Sequence, residues 1–338
     1  MIDSGDLSPH HAARHGLTPA SGPMQLPWMG SKANALASAI EGLGQRADPI
    51  ARDLVDVVRE KDELPRVLPR RAWAVVNSTA SMSVREALGS VSPGARIPRV
   101  IETSLFAGGA LGLISIEDPE RNPDTLDLIA ETYALARDDE QLRAVLFASS
   151  GDGLSRQPIG QGCSSATMVM SDTRISMFAA PMSEAIARLQ STSLPDGGRI
   201  LLGIVSGDGM GMSWSDYSVD AALVVPVEPD RDWHARISAR AATKIAREVG
   251  QWPGVETGGI VMGRISEAAR SFYVVDVLPA PNDSRRAASE FVLGTTVQNA
   301  RSPILPRHAV TVCSASEPGI VTLLLLERRQ PIGTLRRS

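Results

Sequence analysis

Glu256-Thr-Gly-Gly-Ile-Val-Met-Gly-Arg264 decides the fold of the carboxy-terminal third. It sets one carboxylate at the mouth of a glycine turn that runs directly into an apolar strand, which is how a hydrolytic metal site begins. Downstream, Val274-Val-Asp-Val-Leu-Pro-Ala-Pro-Asn-Asp-Ser284 and Glu290-Phe-Val-Leu-Gly294 read as a strand, a proline-bounded loop and a second short strand. Upstream, Ile237, Ala241, Ile245 and Val249 recur every fourth residue and predict an amphipathic helix, with His234 beside Trp233 at its head as a surface or capping residue.

These stretches resemble the first half of a JAB/JAMM (MPN-type) zinc isopeptidase of the bacterial kind. The resemblance implies a partial α+β, cytidine-deaminase-like domain over residues 232–298, with Glu256 as the carboxylate that holds or activates a zinc-bound water. The family's metal is held further on by a His-x-His pair and the Asp of a Ser-x-x-Asp. After Gly294 this chain reads Thr-Thr-Val-Gln-Asn-Ala-Arg-Ser-Pro-Ile-Leu-Pro-Arg-His308, and His308 stands alone. Catalytic zinc needs three protein ligands and an open fourth position. The reading is a hydrolase fold without its metal ligands.

The first two thirds alternate apolar strands with amphipathic helices, the pattern of an α/β domain. Strands are expected at Trp73–Asn77, Arg99–Leu105, Ala110–Ile116, Ala144–Ala148 and Ile200–Val205. One helical face collects Ala33, Leu36, Ala37, Ile40 and Leu43, and another Met182, Ala185, Ile186 and Leu189. The alternation is Rossmann-like, although no Gly-x-Gly-x-x-Gly turn opens the domain. Gly207, Gly209 and Gly211 come late and lack a following helix, so they read as a hairpin or loop.

The opening Asp3-Ser-Gly5-Asp6-Leu7-Ser-Pro9-His-His11-Ala-Ala-Arg14-His15, with Gly30-Ser31-Lys32-Ala33 and Val75-Val-Asn77-Ser-Thr79, resembles the second part of a ThiF-type adenylyltransferase, related to ubiquitin-activating enzymes. The resemblance implies ATP and magnesium as cofactors, with Asp3 at the ribose and magnesium, and Arg14 and Lys32 at the phosphates. Gly5 replaces the family's second Asp, His11 its Asn, and Asn77 its magnesium-binding Asp. Gly160-Gln-Gly-Cys163-Ser-Ser is similar to the crossover loop whose cysteine carries the modifier as a thioester, and a helix beginning after Asp172 suits a depressed thiol pKa. A buried, inert Cys163 is the competing reading. The family's glycine-rich loop and first βαβ unit belong ahead of Asp3 and are expected to be missing, which leaves an exposed sheet edge and predicts association into oligomers. The clustered His10, His11 and His15 read as a solvated loop or helix end.

The resulting expectation is an α/β chain: an incomplete ThiF-like domain over 1–226, the JAB-like part over 232–298, and an atypical basic tail over 299–338. That tail holds six arginines and two acids, against a net charge of −4 for the whole chain. Its apolar run Ile320–Leu326 reads as a strand or a helix. An ordinary divergent ending and a frameshift just after Gly294 both account for it. With 338 residues, 43% of them hydrophobic, the chain can bury two ordinary cores. Neither a membrane-length apolar run nor a signal peptide is present, and two cysteines, Cys163 and Cys313, imply a reducing cytoplasm. The negative balance excludes a general nucleic-acid binder. Two functional readings stay open. One is a catalytically impaired member of a system that activates a ubiquitin-like protein modifier and removes it with zinc; the other is a truncated, non-enzymatic remnant that binds a ubiquitin-like partner.

Overall fold

Side-chain oxygens set where the helices start. Ser31, Ser81, Ser171 and Ser238 each place Oγ on a backbone N–H three residues ahead, and Asp139 does so with its carboxylate. The computed structural model describes residues 1–7, 30–60, 62–91, 97–147, 170–227, 232–294, 310–314 and 321–324. These are α-helices and mixed sheets, an α/β chain. It divides into two compact units, one of Met1–Leu128 and Ala136–Val219, the other of Ile129–Leu135 and Asp220–Ser338.

Unit 1 begins with a two-stranded ladder of β1 (Asp6–Leu7) and β2 (Gly30–Ser31), followed by helices α1 (Lys32–Gly42), α2 (Leu54–Arg59) and α3 (Leu64–Val67). Then come β3 (Val75–Asn77), α4 (Met82–Ser90), β4 (Val100–Phe106), β5 (Leu111–Ile116), α5 (Thr125–Asp138), α6 (Glu140–Leu146), α7 (Asp172–Ser191), β6 (Gly198–Val205) and β7 (Met212–Val219). The middle of α5 counts with unit 2. The sheet order is β3-β4-β5-β6-β7. Only β3 and β4 run parallel; the other neighbours are antiparallel. A four-residue turn joins β4 to β5, and a parallel pair needs a crossover of a dozen residues or more. The sheet is therefore not the all-parallel array that a Rossmann-like alternation calls for.

The five strands bury their faces by different means. In β5 every residue is buried, and Ile114 and Ile116 join Ile101, Phe178 and Met182 in one core cluster, with Ala185, Ile186 and Leu189 of α7 against it. Gly112 makes room for the Phe178 ring, which a Cβ there would overlap. A second cluster joins Val57, Leu64, Leu68, Val84, Leu88 and Val100. Three expectations are corrected. Ala144–Leu146 lie in α6 and not in a strand, because the Asp139 carboxylate caps Leu142 N–H and starts a helix. Leu43 is outside the buried face of α1, as its C-cap and 80% exposed. Ile237 ends a strand ahead of its helix.

Unit 2 contains β8 (Leu223–Pro226), β9 (His234–Ile237), α8 (Ala239–Gln251), β10 (Gly259–Ser266), β11 (Ser271–Pro279), the small pair β12 (Arg285–Arg286) and β13 (Phe291–Val292), then β14 (Val310–Ser314) and β15 (Val321–Leu324). Six strands form one sheet in the order β15-β14-β10-β11-β9-β8, in which β9 and β11 are parallel. His234 sits in β9 and caps no helix. The basic tail contributes β14 and β15 to this sheet, so Val321–Leu324 of its apolar run are a strand. Ala235, Ile237, Ala241, Ile245, Val261 and Val274 form the core, with α8 covering the sheet. Among the described residues no helix is long and apolar enough to cross a membrane.

Candidate functional site

The β1–β2 ladder brings the amino terminus to the start of α1. Asp6 pairs with Ser31 and Leu7 with Gly30, and Lys32 N–H donates to the Gly5 carbonyl at 2.9 Å. One Asp3 carboxylate oxygen accepts the Gly5 N–H at 2.7 Å. A Cβ on Gly5 would lie 2.9 Å from Lys32 Nζ and 3.0 Å from Asp3 Oδ1, so both charged groups close on the one residue that carries no side chain. Lys32 is 7% exposed. Its ammonium stands at the positive end of an eleven-residue helix, where a phosphate is favoured, with Asp3 as the nearby countercharge. Two sequence-expected residues, Asp3 and Lys32, are thus brought together. Arg14 and Cys163 lie outside the described residues, as do His10, His11, His15 and His308.

Asn77, where the resemblance expects a magnesium ligand, closes β3. It is 4% exposed, and its Oδ1 accepts Thr79 N–H at 3.2 Å and the Thr79 hydroxyl at 2.8 Å. With its Oδ1 engaged twice within its own turn, Asn77 does not fit a magnesium ligand.

Glu256 follows the turn Trp252-Pro-Gly254, whose glycine has φ 78°, and precedes β10. It is half-buried, and its backbone N–H donates to the Ala287 carbonyl at 2.8 Å. No hydrogen bond or ion pair of its carboxylate is found among the described residues. The same residues contain no cluster of three His, Cys, Asp or Glu able to hold a metal. Among the described residues no metal-binding group gathers around Glu256, and no step is assigned to it.

The side chains that set this corner are ones that sequence spacing missed. Thr257, 2% exposed, donates its hydroxyl to Glu248 Oε1 at 3.0 Å and accepts Arg286 Nε–H at 3.0 Å. Arg286 Nη2 reaches Glu248 at 3.2 Å. Separately, Lys244 on α8 pairs at 2.6 Å with Asp276 of β11, which is 1% exposed. Glu248 and Arg286 are 38 positions apart, and no local pattern links them. A scan against protein-family models matches no family and a search of the curated proteins returns no match, so the functional reading rests on the chain's own residues.

Proposed function

We propose that this chain belongs to a cytoplasmic system that activates a ubiquitin-like protein modifier and removes it. In this reading a ThiF-type unit leads and a JAB-like unit follows. The chain's own part is to bind nucleotide and modifier, with adenylation impaired. The observation that carries the nucleotide half is the meeting of Lys32 and Asp3 at Gly5 beside the start of α1. Bound ATP supplies the adenylyl group in such systems. Lys32 holds a phosphate oxygen at the helix terminus, Asp3 fixes the Gly5 backbone, and Gly5, with no side chain, lets the two charged groups approach. Zinc-dependent cleavage is not assigned, because Glu256 is the sole expected donor of that site among the described residues.

A second reading, a non-enzymatic protein that binds the modifier, is favoured by Asn77, whose carbonyl is occupied within its own turn. Equilibrium binding of ATP to the full chain, with pyrophosphate exchange alongside, separates the two. Saturable ATP binding that Lys32→Ala weakens at least tenfold supports the nucleotide reading, and exchange above background makes the chain a working adenylyltransferase. Lys32→Ala binding ATP as well as the unaltered chain overturns the assignment.

A further inference from the structure

β7 ends the five-stranded sheet of unit 1, and among the described residues only its β6 side is paired. Ser206 N–H donates to the Gly211 carbonyl at 2.9 Å, so these two residues form a hydrogen-bonded pair just ahead of the ladder. Antiparallel ladders alternate bonded and non-bonded pairs. Ser213, Ser215, Tyr217 and Val219 therefore bond to β6, while Met212, Trp214, Asp216 and Ser218 turn their N–H and C=O groups away from it. No described residue pairs with that outer row.

The edge has none of the features that usually keep such a row from pairing. Met212–Val219 contains no proline, lysine or glycine, and its register with β6 runs through eight residues without a bulge. Its one charged side chain, Asp216, is held by Arg199 through both carboxylate oxygens, so each chain neutralises that charge itself. The opposite end of the sheet is β3, only three residues long. An unprotected edge of eight residues is a template for a further strand.

We propose that a second copy of this chain pairs with β7, edge to edge and antiparallel, about a two-fold axis at Ser215. Symmetry and the alternation of the ladder select this register. Outward groups must meet outward groups, and only an axis at Ser215 uses all four outward residues of each copy. Met212 of one copy then faces Ser218 of the other, and Trp214 faces Asp216. An axis at Asp216 would set two carboxylates opposite each other, and an axis at Trp214 would leave Ser218 without a mate. At Ser215 no like charges are opposed. Ser215, which is exposed, faces its own counterpart in a non-bonded pair, on the side of the sheet away from Trp214 and Phe178. The pairing is independent of the nucleotide reading.

Sedimentation velocity of the unaltered full chain over a range of concentrations is expected to show a monomer–dimer equilibrium; a monomer throughout overturns the proposal. Ser218→Pro removes an N–H that points away from β6, so the strand is expected to keep its own ladder while the symmetric dimer loses that donor twice. The dimer is expected to weaken roughly tenfold or more. A Ser218→Pro chain that melts normally and dimerises as tightly as the original puts the interface elsewhere and overturns the proposal. Disulfide trapping reads the register, in chains carrying Cys163→Ser and Cys313→Ser. Ser215→Cys is expected to form a disulfide dimer under mild oxidation, because opposed residues of a non-bonded pair lie about 4.5 Å apart at Cα, within disulfide reach. Ser213→Cys is expected not to bridge to itself, with its counterpart roughly 14 Å away, but to bridge to a Tyr217→Cys chain, which it faces. Ser215→Cys that stays unbridged, or Ser213→Cys that bridges to itself as readily, overturns the two-fold pairing.

Discussion

The guanidinium carbon of Arg286 lies 4.1 Å from the centroid of the Trp252 ring. The same side chain, 14% exposed, donates to Thr257 and pairs with Glu248, itself 19% exposed. One residue of the small β12–β13 pair thus ties the end of α8 to the residue after Glu256. Arg286→Ala leaves Glu248 partly buried without its cation and uncovers Trp252, a loss of about 2–3 kcal/mol from a cation–π contact and charge-assisted hydrogen bonds combined. Arg286→Lys keeps the charge but neither the planar stack nor the fork, and is expected to lose roughly half as much. Urea unfolding followed by far-UV circular dichroism checks the order original, Lys, Ala; an Ala variant as stable as the original removes the tie.

In unit 1 the fully buried carboxylate of Glu117 accepts four hydrogen bonds. They come from Val100 N at 2.8 Å, Thr125 N at 2.7 Å and Arg121 at 2.8 and 3.2 Å. Arg121 also donates to the Leu88 carbonyl at 2.8 Å and to the Val91 carbonyl at 3.3 Å, which joins the end of α4 to the start of α5. Glu117→Gln strands the Arg121 charge in the interior at about 3 kcal/mol, since breaking a buried pair from one side costs far more than replacing both partners. Glu117→Gln with Arg121→Met is therefore expected to be more stable than the sum of the two single losses. Additive losses in a double-mutant cycle would falsify the coupling.

Strands were legible wherever a continuous apolar run met a glycine or a turn, as at β4, β5, β6, β10 and β11. Runs of four or five apolar residues were not, because such a run suits either element until a capping side chain decides. Asp139 decides for a helix at Ala144–Leu146. Ser238 decides against one at Ile237, starting α8 two positions later than the period of four suggested. Strand direction was hidden because alternation reports burial and not polarity, and the short turn before β5 carries that information. Of the site, Asp3, Lys32 and Glu256 were legible as types in a local motif. Thr257, Glu248 and Arg286 were not, since their meeting depends on the tertiary return of β12 to the end of α8.

Gly263 and Gly254 are both required, for different reasons. At Gly263 the ladder between β10 and β11 slips by a bulge, and a Cβ would overlap the Tyr273 carbonyl oxygen, a backbone atom that cannot turn aside. Gly254 has φ 78° and nothing within 4 Å of its Cβ position, so only its left-handed backbone resists a side chain. Gly263→Ala is expected to cost about 3 kcal/mol or more by overpacking and strand displacement. Gly254→Ala costs about 1 kcal/mol from conformation alone. Chemical denaturation of both variants tests the ranking, and equal losses refute the steric account of the bulge.

Asp118, just after β5, makes stability depend on pH in an unusual direction. Burial pushes its carboxyl above the ordinary carboxylate range, opposed by N–H bonds from Asn122 and Glu120 and by the charge of Arg99. The folded chain then holds this proton more tightly than the unfolded chain does. Between the unfolded value, about 3.9, and the raised folded value the native state binds more protons, so this group's contribution to stability falls as pH rises. Asp118→Asn cannot ionise, while its amide oxygen still accepts the Asn122 N–H, held at 2.6 Å in the original. The variant is expected to gain on the original through that window and to keep its advantage at neutral pH. Thermal midpoints of both chains from pH 3 to pH 8 decide: curves that run parallel throughout mean that Asp118 titrates alike folded and unfolded.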